Sequence, residues 1–294
     1  MVEEDVGLVT DLEPVGLYLT VADNSGSPQH YYHYLLRYLV PMLLAWSKIQ
    51  EKAAGRPIYA RSCQVLDTIT RSVDLPGLQL VAQQTHRKIA KRLREGKKVE
   101  DQLEFEKLAF YDRPDWYDLD DFNRVRAIVF DKLQETIAVE QAKYVAKFEA
   151  GKPRILVLNR GAASDFYSSK KAEHRTSGVE RRSIPNIAEV VSIAKSYGSV
   201  ITETLESCDN LSTQVALFST ADVVIGQHGA GLVNLLWARP GTSVIEFVPR
   251  MAEQKHFVKL SQLLGLNHHR IRQRGNHAAV NLDAYAKQLE VYLS

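Results

Sequence analysis

Apolar and polar positions in the second half of the chain alternate between short apolar runs and helix-like periodicities. The strands predicted from this pattern are 154–159, 199–204, 222–225, 243–248 and 268–271. Residues 186–197 between two runs repeat apolar positions at helical spacing, and Asn186 is expected to cap that helix. Strands that alternate with helices in this way pair in parallel through right-handed crossovers. The pattern therefore predicts an α/β fold with a doubly wound, Rossmann-like sheet.

The first half has a less regular pattern. Residues 16–22 alternate enough to predict a strand, and a cluster of turn-forming residues follows them. From residue 30 to 48 apolar side chains recur at helical spacing, with His30, His33 and Arg37 on the opposite side. Further short apolar runs that look like strands are 56–60, 78–82 and 108–111.

A change in pattern marks a boundary near Glu149-Ala-Gly-Lys-Pro153, where the helical periodicity of residues 118–149 ends. We therefore predict a first α/β domain at 1–150 and a second, Rossmann-like domain at 151–294, with the last helix able to pack back on the first domain. At 294 residues the chain is long enough for both domains to bury cores of their own.

Charge and cysteine content exclude several classes of protein. A net charge of +2 gives no field of one sign, and the basic run His86–Lys98 lacks interleaved aromatic residues, so we expect no nucleic-acid partner. That run is better explained as a solvated helix face. Cys63 and Cys208 lie far apart and outside any C-x-x-C spacing, which indicates neither a disulfide framework nor a structural zinc site.

Features of export or membrane insertion are weak in this sequence. The segment Met1-Val-Glu-Glu-Asp5 is acidic, unlike the start of a signal peptide. The most apolar stretch, residues 31–46, contains His33, Arg37 and Pro41 and is too short and too polar to span a bilayer. We therefore expect no transmembrane segment and a cytoplasmic location.

The strongest chemical signal is a glycine-rich segment after the predicted strand 222–225. It runs Gly226-Gln-His-Gly-Ala-Gly231-Leu-Val-Asn234 and leads into a short helix. Glycines let an anion approach backbone N–H groups, and a helix start adds unpaired donors and a positive dipole end. His228 and Asn234 can add side-chain donors. The spacing is not the G-x-G-x-x-G dinucleotide fingerprint, so phosphate binding and a merely tight strand-to-helix turn are both open on spacing alone.

The run Gln214–Glu246 around this segment closely resembles the core motif of glycosyltransferase family 61. That family includes plant xylosyltransferases and animal N-acetylglucosaminyltransferases. Upstream, Ile155–Arg160 and Arg181-Arg-Ser-Ile-Pro-Asn-Ile-Ala-Glu189 resemble the family's arginine-bearing strand and its Arg-x-Ile-x-Asn stretch. The resemblance covers residues 154–248, and its His-Gly-Ala-Gly-Leu-x-Asn element is quite specific.

The resemblance implies an inverting transferase of the GT-B type, with two Rossmann-like domains that face a cleft. Such an enzyme would move a hexose or pentose from a nucleotide-sugar, expected to be a UDP-sugar, to a hydroxyl of a glycan acceptor during glycan or polysaccharide biosynthesis. The departing diphosphate develops negative charge, so fixed N–H donors and cations beside it stabilise the transition state. No cofactor is expected.

The residues expected to bind the nucleotide lie in the C-terminal domain. They are Arg160, Arg182, Gln227, His228, Gly229, Ala230, Gly231, Asn234 and Glu246. Arg160 and Arg182 are the candidate cations, and Arg181 replaces Arg182 if the register shifts by one residue. Glu246, at the carboxyl end of a strand, is expected to accept hydrogen bonds from ribose hydroxyls. The alternative is that the arginines are solvated loop residues and Glu246 an ordinary edge carboxylate.

In the N-terminal half, Gln29-His30-Tyr31-Tyr32-His33 matches the family's Asn-aromatic-aromatic-His helix start, with His30 in place of Asn. The acidic residue common four positions after that His is Arg37 here, which keeps open a nucleotide- or glycan-binding module that lacks catalysis. Inversion needs a general base. His33 is the first candidate and Asp23, after the first predicted strand, the second; a polar stripe that faces water is the alternative for both.

Two other patterns give weak support to metal chemistry. Asp118-Leu-Asp120 has the D-x-D form of metal-dependent transferases but lies where a helix cap is expected. His268 and His269 are neighbours on a predicted strand and point to opposite faces, so together with His256 they lack metal-ligand spacing. We expect no metal.

A nucleotide-cofactor oxidoreductase would need an acidic residue about 20 positions beyond a first-strand glycine fingerprint, and that pattern is absent.

Overall fold

The structure of the protein, a computed structural model, describes two compact α/β units. One unit comprises Met1–Ala109 and Arg113–Lys132, and the other comprises Phe110–Asp112 and Leu133–Ser294. The residues described within them are 17–21, 28–53, 55–82, 84–85, 87–88, 91, 102–105, 117–163, 165–168, 178–205, 210–249 and 255–293. Both units contain a parallel sheet, which confirms the mixed α/β class predicted from the sequence.

The first unit has a four-stranded sheet in the order β3-β2-β1-β4, with every neighbouring pair parallel. The strands are β1 Leu17–Val21, β2 Ile58–Arg61, β3 Leu78–Val81 and β4 Gln102–Phe105. β1 lies inside the sheet, where Leu19 is paired in register with Ala60 of β2 and with Leu103 of β4. The pattern did not predict β4, and the strand predicted at 108–111 lies outside the described residues.

The helices of the first unit begin just after the β1 loop. They are α1 Tyr31–Tyr34, a π-helical turn Leu35–Leu39, α2 Val40–Ala53, a 3₁₀ turn Gln64–Leu66, α3 Asp67–Ser72 and α4 Leu119–Lys132. The π-helical turn changes the rotation of the helix, and Arg37 within it is only 3% exposed. The prediction that Arg37 lies on a polar side is therefore wrong. The Tyr117 hydroxyl donates to the Leu36 carbonyl of this turn at 2.8 Å.

The second unit has a five-stranded parallel sheet in the order β6-β5-β7-β8-β9. Its strands are β5 Arg154–Asn159, β6 Ser199–Thr204, β7 Val223–Gln227, β8 Ser243–Pro249 and β9 Asn267–Gln273. The parallel sheet predicted for this half is confirmed. The chain extends the sheet first from β5 to β6 and then returns to add β7 on the other side of β5. In such sheets ligands bind beyond the carboxyl ends of the strands at this reversal.

Helices flank this sheet. They are α5 Gln134–Lys147, α6 Asp165–Ser168, α7 Gly178–Arg181, α8 Ile187–Lys195, α9 Leu211–Thr220, a 3₁₀ helix Ala230–Trp237, α10 His256–Leu263 and α11 Leu282–Leu293. No helix in the described part of the chain has both the length and the apolar character needed to cross a bilayer.

Helix α5 belongs to the second unit. Thr136 shares a hydroxyl hydrogen bond of 2.7 Å with Ser212 of α9, and the Gln141 amide donates to Ser219 of the same helix at 2.9 Å. Because these contacts join α5 to α9, the compact unit begins at Leu133. The sequence placed the boundary at the end of this helix instead, where the composition changes.

The last helix, α11, packs on its own unit, in contrast to the alternative that the sequence left open. The Tyr285 hydroxyl donates to the Val190 carbonyl of α8 at 3.2 Å, and Leu289 is fully buried in the same core. Asn186 does not cap α8 with its side chain, because its amide binds the backbone N–H and C=O of Val280.

We expect Leu289→Ala to lower the free energy of unfolding by about 2–5 kcal/mol, because it removes buried methyl groups and leaves a cavity. Val291→Ala on the same helix is the matched control, since Val291 is 65% exposed and its loss should cost less than about 0.5 kcal/mol. Urea unfolding of both variants measures the difference. Equal effects would show that α11 does not contribute to the core in this way.

Candidate functional site

The candidate site lies where β5 and β7 end at the reversal of the second sheet. Arg160 directly follows β5, and the glycine-rich segment follows β7, whose Gly226 is in register with Leu158 of β5. A Cβ on Gly226 would lie 3.2 Å from the Cβ of Leu158, so glycine permits this close packing. The sheet thereby brings together two sequence segments that are far apart in the chain.

Two guanidinium groups meet the backbone carbonyl of His228. Arg160 donates to it through Nη2 at 3.2 Å, and Arg182 donates through Nη1 at 2.6 Å. Burial lowers the pKa of Arg182, the neighbouring charge of Arg181 lowers it further, and Glu246 opposes the change. No acceptor among the described residues faces the Nε of Arg182, so this guanidinium keeps donor capacity for a ligand.

Gly229 makes room for one of these cations. A Cβ at this position would lie 1.8 Å from Nη2 of Arg160. The backbone of Gly229 is extended, with φ 174°, so the requirement for glycine is one of space. Gly231 is restricted similarly, because a Cβ there would lie 2.7 Å from Cδ1 of Leu205. The sequence predicted that these glycines admit an anion, and the structure adds that a protein side chain already lies against each of them.

Asn234 and Gln227 both bind other parts of the protein. Asn234 is fully buried in the 3₁₀ helix that begins at the half-exposed Ala230, and its amide lies 3.4 Å from the Gly231 carbonyl. The side chain of Gln227 is buried, and its Nε2 lies within 3.0 Å of the Ser183 carbonyl. These two amides therefore support the loops around the site.

The Nε2 of Gln227 has two further acceptors, the Gln273 side chain at 2.8 Å and the Asn276 carbonyl at 3.0 Å. The three acceptors lie on separate segments: the one that carries Arg182, the end of β9 and the turn that follows it. Gln227 thus joins the Arg182 segment to the β9 turn.

Glu246 on β8 is the most enclosed charge of the site, at 1% exposure. Its Oε1 is hydrogen-bonded to Nδ1 of His228, and its Oε2 is 3.0 Å from Nε2 of His268 and 3.2 Å from Nε of Arg270. Burial alone would raise the pKa of Glu246, but the hydrogen bonds and charges of the two histidines outweigh it and lower the pKa to about 2. Both oxygens are engaged by the protein, in contrast to the direct ribose contact expected from the sequence.

The ring of His228 is held on several sides. Its Nδ1 is bound to Glu246, and its centroid lies 5.0 Å from that of His256 and 5.2 Å from that of Phe257 on α10. The structure gives Nε2 no hydrogen-bond partner among the residues it describes. His228 therefore keeps one ring nitrogen that can bind a ligand.

Sequence reasoning missed the roles of His268 and Arg270. They lie two positions apart on β9, hence on one face, and the register sets Glu246 opposite Arg270. The spacing of His268 and Arg270, two positions apart on one strand, was the available signal. Only the β8–β9 pairing connects these two residues with Glu246. Among the described residues, no group of three or more His, Cys, Asp or Glu side chains is arranged to hold a metal ion.

In the first unit the structure describes one of the two candidate bases. His33 is half-buried on α1, and its ring lies 5.3 Å from that of Tyr32 and 6.1 Å from that of His30. Asp23 lies outside the described residues. His33 lies two positions before the π-helical turn, and such turns are frequent at functional sites.

A polar cluster that the sequence did not predict follows β2. Gln64 has a positive φ of 57°, a conformation that costs energy for a residue with a side chain, and its side chain binds the Gln29 amide. Asp67 accepts from the Ser62 hydroxyl at 2.6 Å and from the Cys63 N–H at 2.5 Å. Burial raises the pKa of Asp67. This cluster lies at the carboxyl end of a parallel strand, the edge where ligands of such sheets bind.

Fold and site together define an α/β protein with a parallel sheet. Two arginine side chains lie at the reversal of this sheet, at the edge where ligands of such folds bind. The sequence model of the family Glycosyltransferase 61 matches residues 31–245, which includes parts of both units. The chain belongs to glycosyltransferase family 61. The resemblance noted on the glycine-rich motif is thereby confirmed over most of the chain.

Several curated plant proteins are similar to parts of the chain. A β-1,2-xylosyltransferase of Oryza sativa subsp. japonica is 39% identical over 71 residues, which is 24% of this chain and 13% of that protein. An α-1,3-arabinosyltransferase of the same organism is 23% identical over 184 residues, 61% of this chain and 28% of the relative. A β-1,2-xylosyltransferase of Arabidopsis thaliana is 30% identical over 69 residues, 24% and 13% respectively. The matched part of the chain thus spans less than a third of each relative's length.

We expect Gly229→Ala to displace the Arg160 guanidinium while the protein still folds, because the added methyl group meets the flexible end of a side chain. The stability should change by less than about 1 kcal/mol. A crystal structure and urea unfolding of the variant check both points. Gly275→Ala is the control, since nothing lies within 4 Å of its Cβ. An unmoved Arg160 in Gly229→Ala would contradict the described packing.

The lowered pKa of Glu246 predicts how stability depends on pH. The folded pKa is about 2, below the ordinary value of 4.5, so the ionised form contributes stability that is complete above pH 4.5 and is lost as the pH falls towards 2. We expect Glu246→Gln to be less stable than the wild type at pH 7 and the gap to narrow between pH 4.5 and 2.

Urea unfolding at several pH values measures this gap. Glu149→Gln is the control, because the Glu149 carboxylate is exposed and paired only with the exposed Lys152 in an i,i+3 ion pair. This variant should follow the wild type at every pH. A gap for Glu246→Gln that stays constant down to pH 2 would contradict an ionised Glu246 in the folded protein.

Proposed function

We propose that this protein is an inverting, metal-independent glycosyltransferase of the GT-B type. It transfers a pentose or hexose from a UDP-sugar to a carbohydrate hydroxyl, with its two α/β domains facing a cleft. The observation that carries the proposal is the convergence of Arg160 and Arg182 on the glycine-rich loop at the reversal of the second sheet. Family membership supports glycosyl transfer, and the relatives named as xylosyl- and arabinosyltransferases support a pentose.

The proposed donor site uses the charges that the structure brings together. A guanidinium has five N–H donors, and on Arg182 the contact with the His228 carbonyl uses one of them while Nε has no acceptor among the described residues. The remaining donors can bind phosphate oxygens in the bidentate manner typical of arginine. As the sugar leaves, negative charge grows on the β-phosphate, and fixed cations at this position stabilise it most in the transition state.

The roles of the nine expected nucleotide-binding residues differ within this proposal. Those proposed to face the diphosphate are Arg160, Arg182, His228, Gly229, Ala230 and Gly231. Those proposed to support them are Gln227, Asn234 and Glu246, because their polar atoms bind other parts of the protein. The uracil and ribose contacts are left to other residues of the loops at this edge.

On the acceptor side we propose His33 as the general base, with Asp23 as the second candidate. The acceptor oxygen attacks the anomeric carbon, the bond from that carbon to the β-phosphate oxygen breaks, and the acceptor proton passes to the base. The electron pair of the broken bond leaves with UDP. A single displacement of this kind inverts the anomeric configuration.

A catalytically inactive nucleotide- or glycan-binding module is the second candidate function. The observation that favours it is Arg37, which stands where the family commonly has an acidic residue and is buried in the π-helical turn. Release of UDP from UDP-xylose or UDP-arabinose in the presence of glycan acceptors separates the two candidates. The transferase releases UDP and extends the acceptor, whereas the module binds the donor without turnover.

Thermal unfolding with nucleotides tests the proposed donor site. We expect UDP at 100 times its Kd to stabilise the protein by about 2.7 kcal/mol, which raises Tm by several degrees. NAD should leave Tm unchanged, and EDTA should not alter the UDP effect. Arg182→Ala and Arg160→Ala should lose most of the UDP shift.

Arg181→Ala is the matched control, because Arg181 is the exposed neighbour of Arg182 and has the same charge. It should keep the full UDP shift. If the UDP shift disappears in Arg181→Ala and persists in Arg182→Ala, Arg181 and not Arg182 is the cation that binds the nucleotide. Stabilisation by NAD instead of UDP would exclude the proposed donor.

A further inference from the structure

The carboxylate of Glu246 is held by charged or polar groups from two neighbouring strands. His228 follows β7 and binds one oxygen, while His268 and Arg270 on β9 contact the other. The ring of His268 is held by a second hydrogen bond, because its Nδ1 lies 2.7 Å from the Ser261 hydroxyl of α10. The cluster of these residues, which we call the Glu246 clamp, leaves the carboxylate one orientation.

The chemistry of the clamp determines which nitrogen of His228 is the donor. An ionised carboxylate only accepts hydrogen bonds, so the Nδ1 of His228 must carry a proton. The second ring nitrogen, Nε2, is then either a bare acceptor or, in the doubly protonated ring, a charged donor. A phosphate oxygen at Nε2 selects the charged form of the ring, because an ionised phosphate oxygen, like the carboxylate of Glu246, only accepts hydrogen bonds.

The surroundings of His228 fix its backbone as well as its ring. Arg160 and Arg182 hold its carbonyl, and His256 and Phe257 lie beside the ring. A purely structural His–Glu pair in a protein core satisfies both ring nitrogens within the protein. Here Nε2 has no partner in the described part of the chain and is not one of its buried unpaired atoms, so a ligand can reach it.

We infer that the Glu246 clamp is a positioning device that directs Nε2 of His228 at the diphosphate of the donor. The protonated ring then supplies, beside Arg160 and Arg182, the positive charge that a metal ion supplies in metal-dependent transferases. Glu246 acts through His228 and does not touch the substrate. The inference rests on the proposed function, because it needs a diphosphate at this loop.

UDP titrations of the full chain by calorimetry, with two substitutions of His228, test the inference. An Asn side chain places its amide nitrogen near the position of Nδ1, so His228→Asn keeps a donor to Glu246 and removes Nε2. A Gln side chain reaches further and restores a neutral donor near the position of Nε2. We expect His228→Asn to bind UDP at least tenfold more weakly and His228→Gln to recover part of the loss.

A second readout reports the protonation of the ring. Long-range ¹H–¹⁵N correlation spectra distinguish a neutral from a doubly protonated histidine. We expect His228 in the UDP complex of the wild type to be doubly protonated, and in Glu246→Gln to be neutral with UDP affinity reduced. Circular dichroism confirms that each variant is folded, and His228→Asn provides the test if Glu246→Gln fails to fold.

The outcomes separate the inference from the proposed function. Wild-type UDP affinity in His228→Asn, or a neutral His228 ring in the wild-type UDP complex, overturns the inference. In that case a loss of UDP affinity in Arg182→Ala still supports the proposed function. A wild-type protein that binds no UDP overturns both.

Discussion

The backbone carbonyl of His228 is the point on which the candidate site depends. It accepts hydrogen bonds from Arg160, which follows β5, and from Arg182, which precedes α8. Two guanidinium groups repel each other, and a shared acceptor offsets part of that repulsion, so both lie at one loop. The protein thus holds two cations at defined positions beside the glycine-rich segment.

The topology of the second sheet explains why this carbonyl can be reached from two directions. At the reversal of a doubly wound sheet the ligand crevice lies beyond the carboxyl ends of the strands, and here the reversal falls between β6, β5 and β7. Gly226 and Gly229 permit close packing there, one against Leu158 and the other against Arg160. The reversal and the two glycines therefore act together to create the site.

Sequence patterns predicted the elements of the second unit well because each pattern is local. Runs of apolar residues and the helical period within 186–197 depend on neighbours along the chain. The glycine-rich segment also had a recognisable local form, so the position of the site followed from it. In the first unit the strand Gln102–Phe105 was missed, because it is short and lies in a charged stretch, although Leu103 and Phe105 alternate with polar residues.

Partners of polar side chains could not be predicted in the same way. Asn186 had the form of a helix cap, yet it binds Val280, which is far away in the chain. Glu246 was expected to meet a ribose, whereas its partners on β9 are defined by strand pairing. Each of these contacts joins residues that are far apart in the chain or on separate strands, and local sequence patterns do not reveal such pairs.

Gln227 has a consequence for how the second unit responds to a ligand. Its one amide group contacts the segment of Arg182, the end of β9 and the turn at Asn276. A ligand that shifts Arg182 must either move that distant turn as well or break buried hydrogen bonds, which is costly. Movement of Arg182 is thus linked through Gln227 to the segment leading into the C-terminal helix, so a substitution in that segment can change how Arg182 is held.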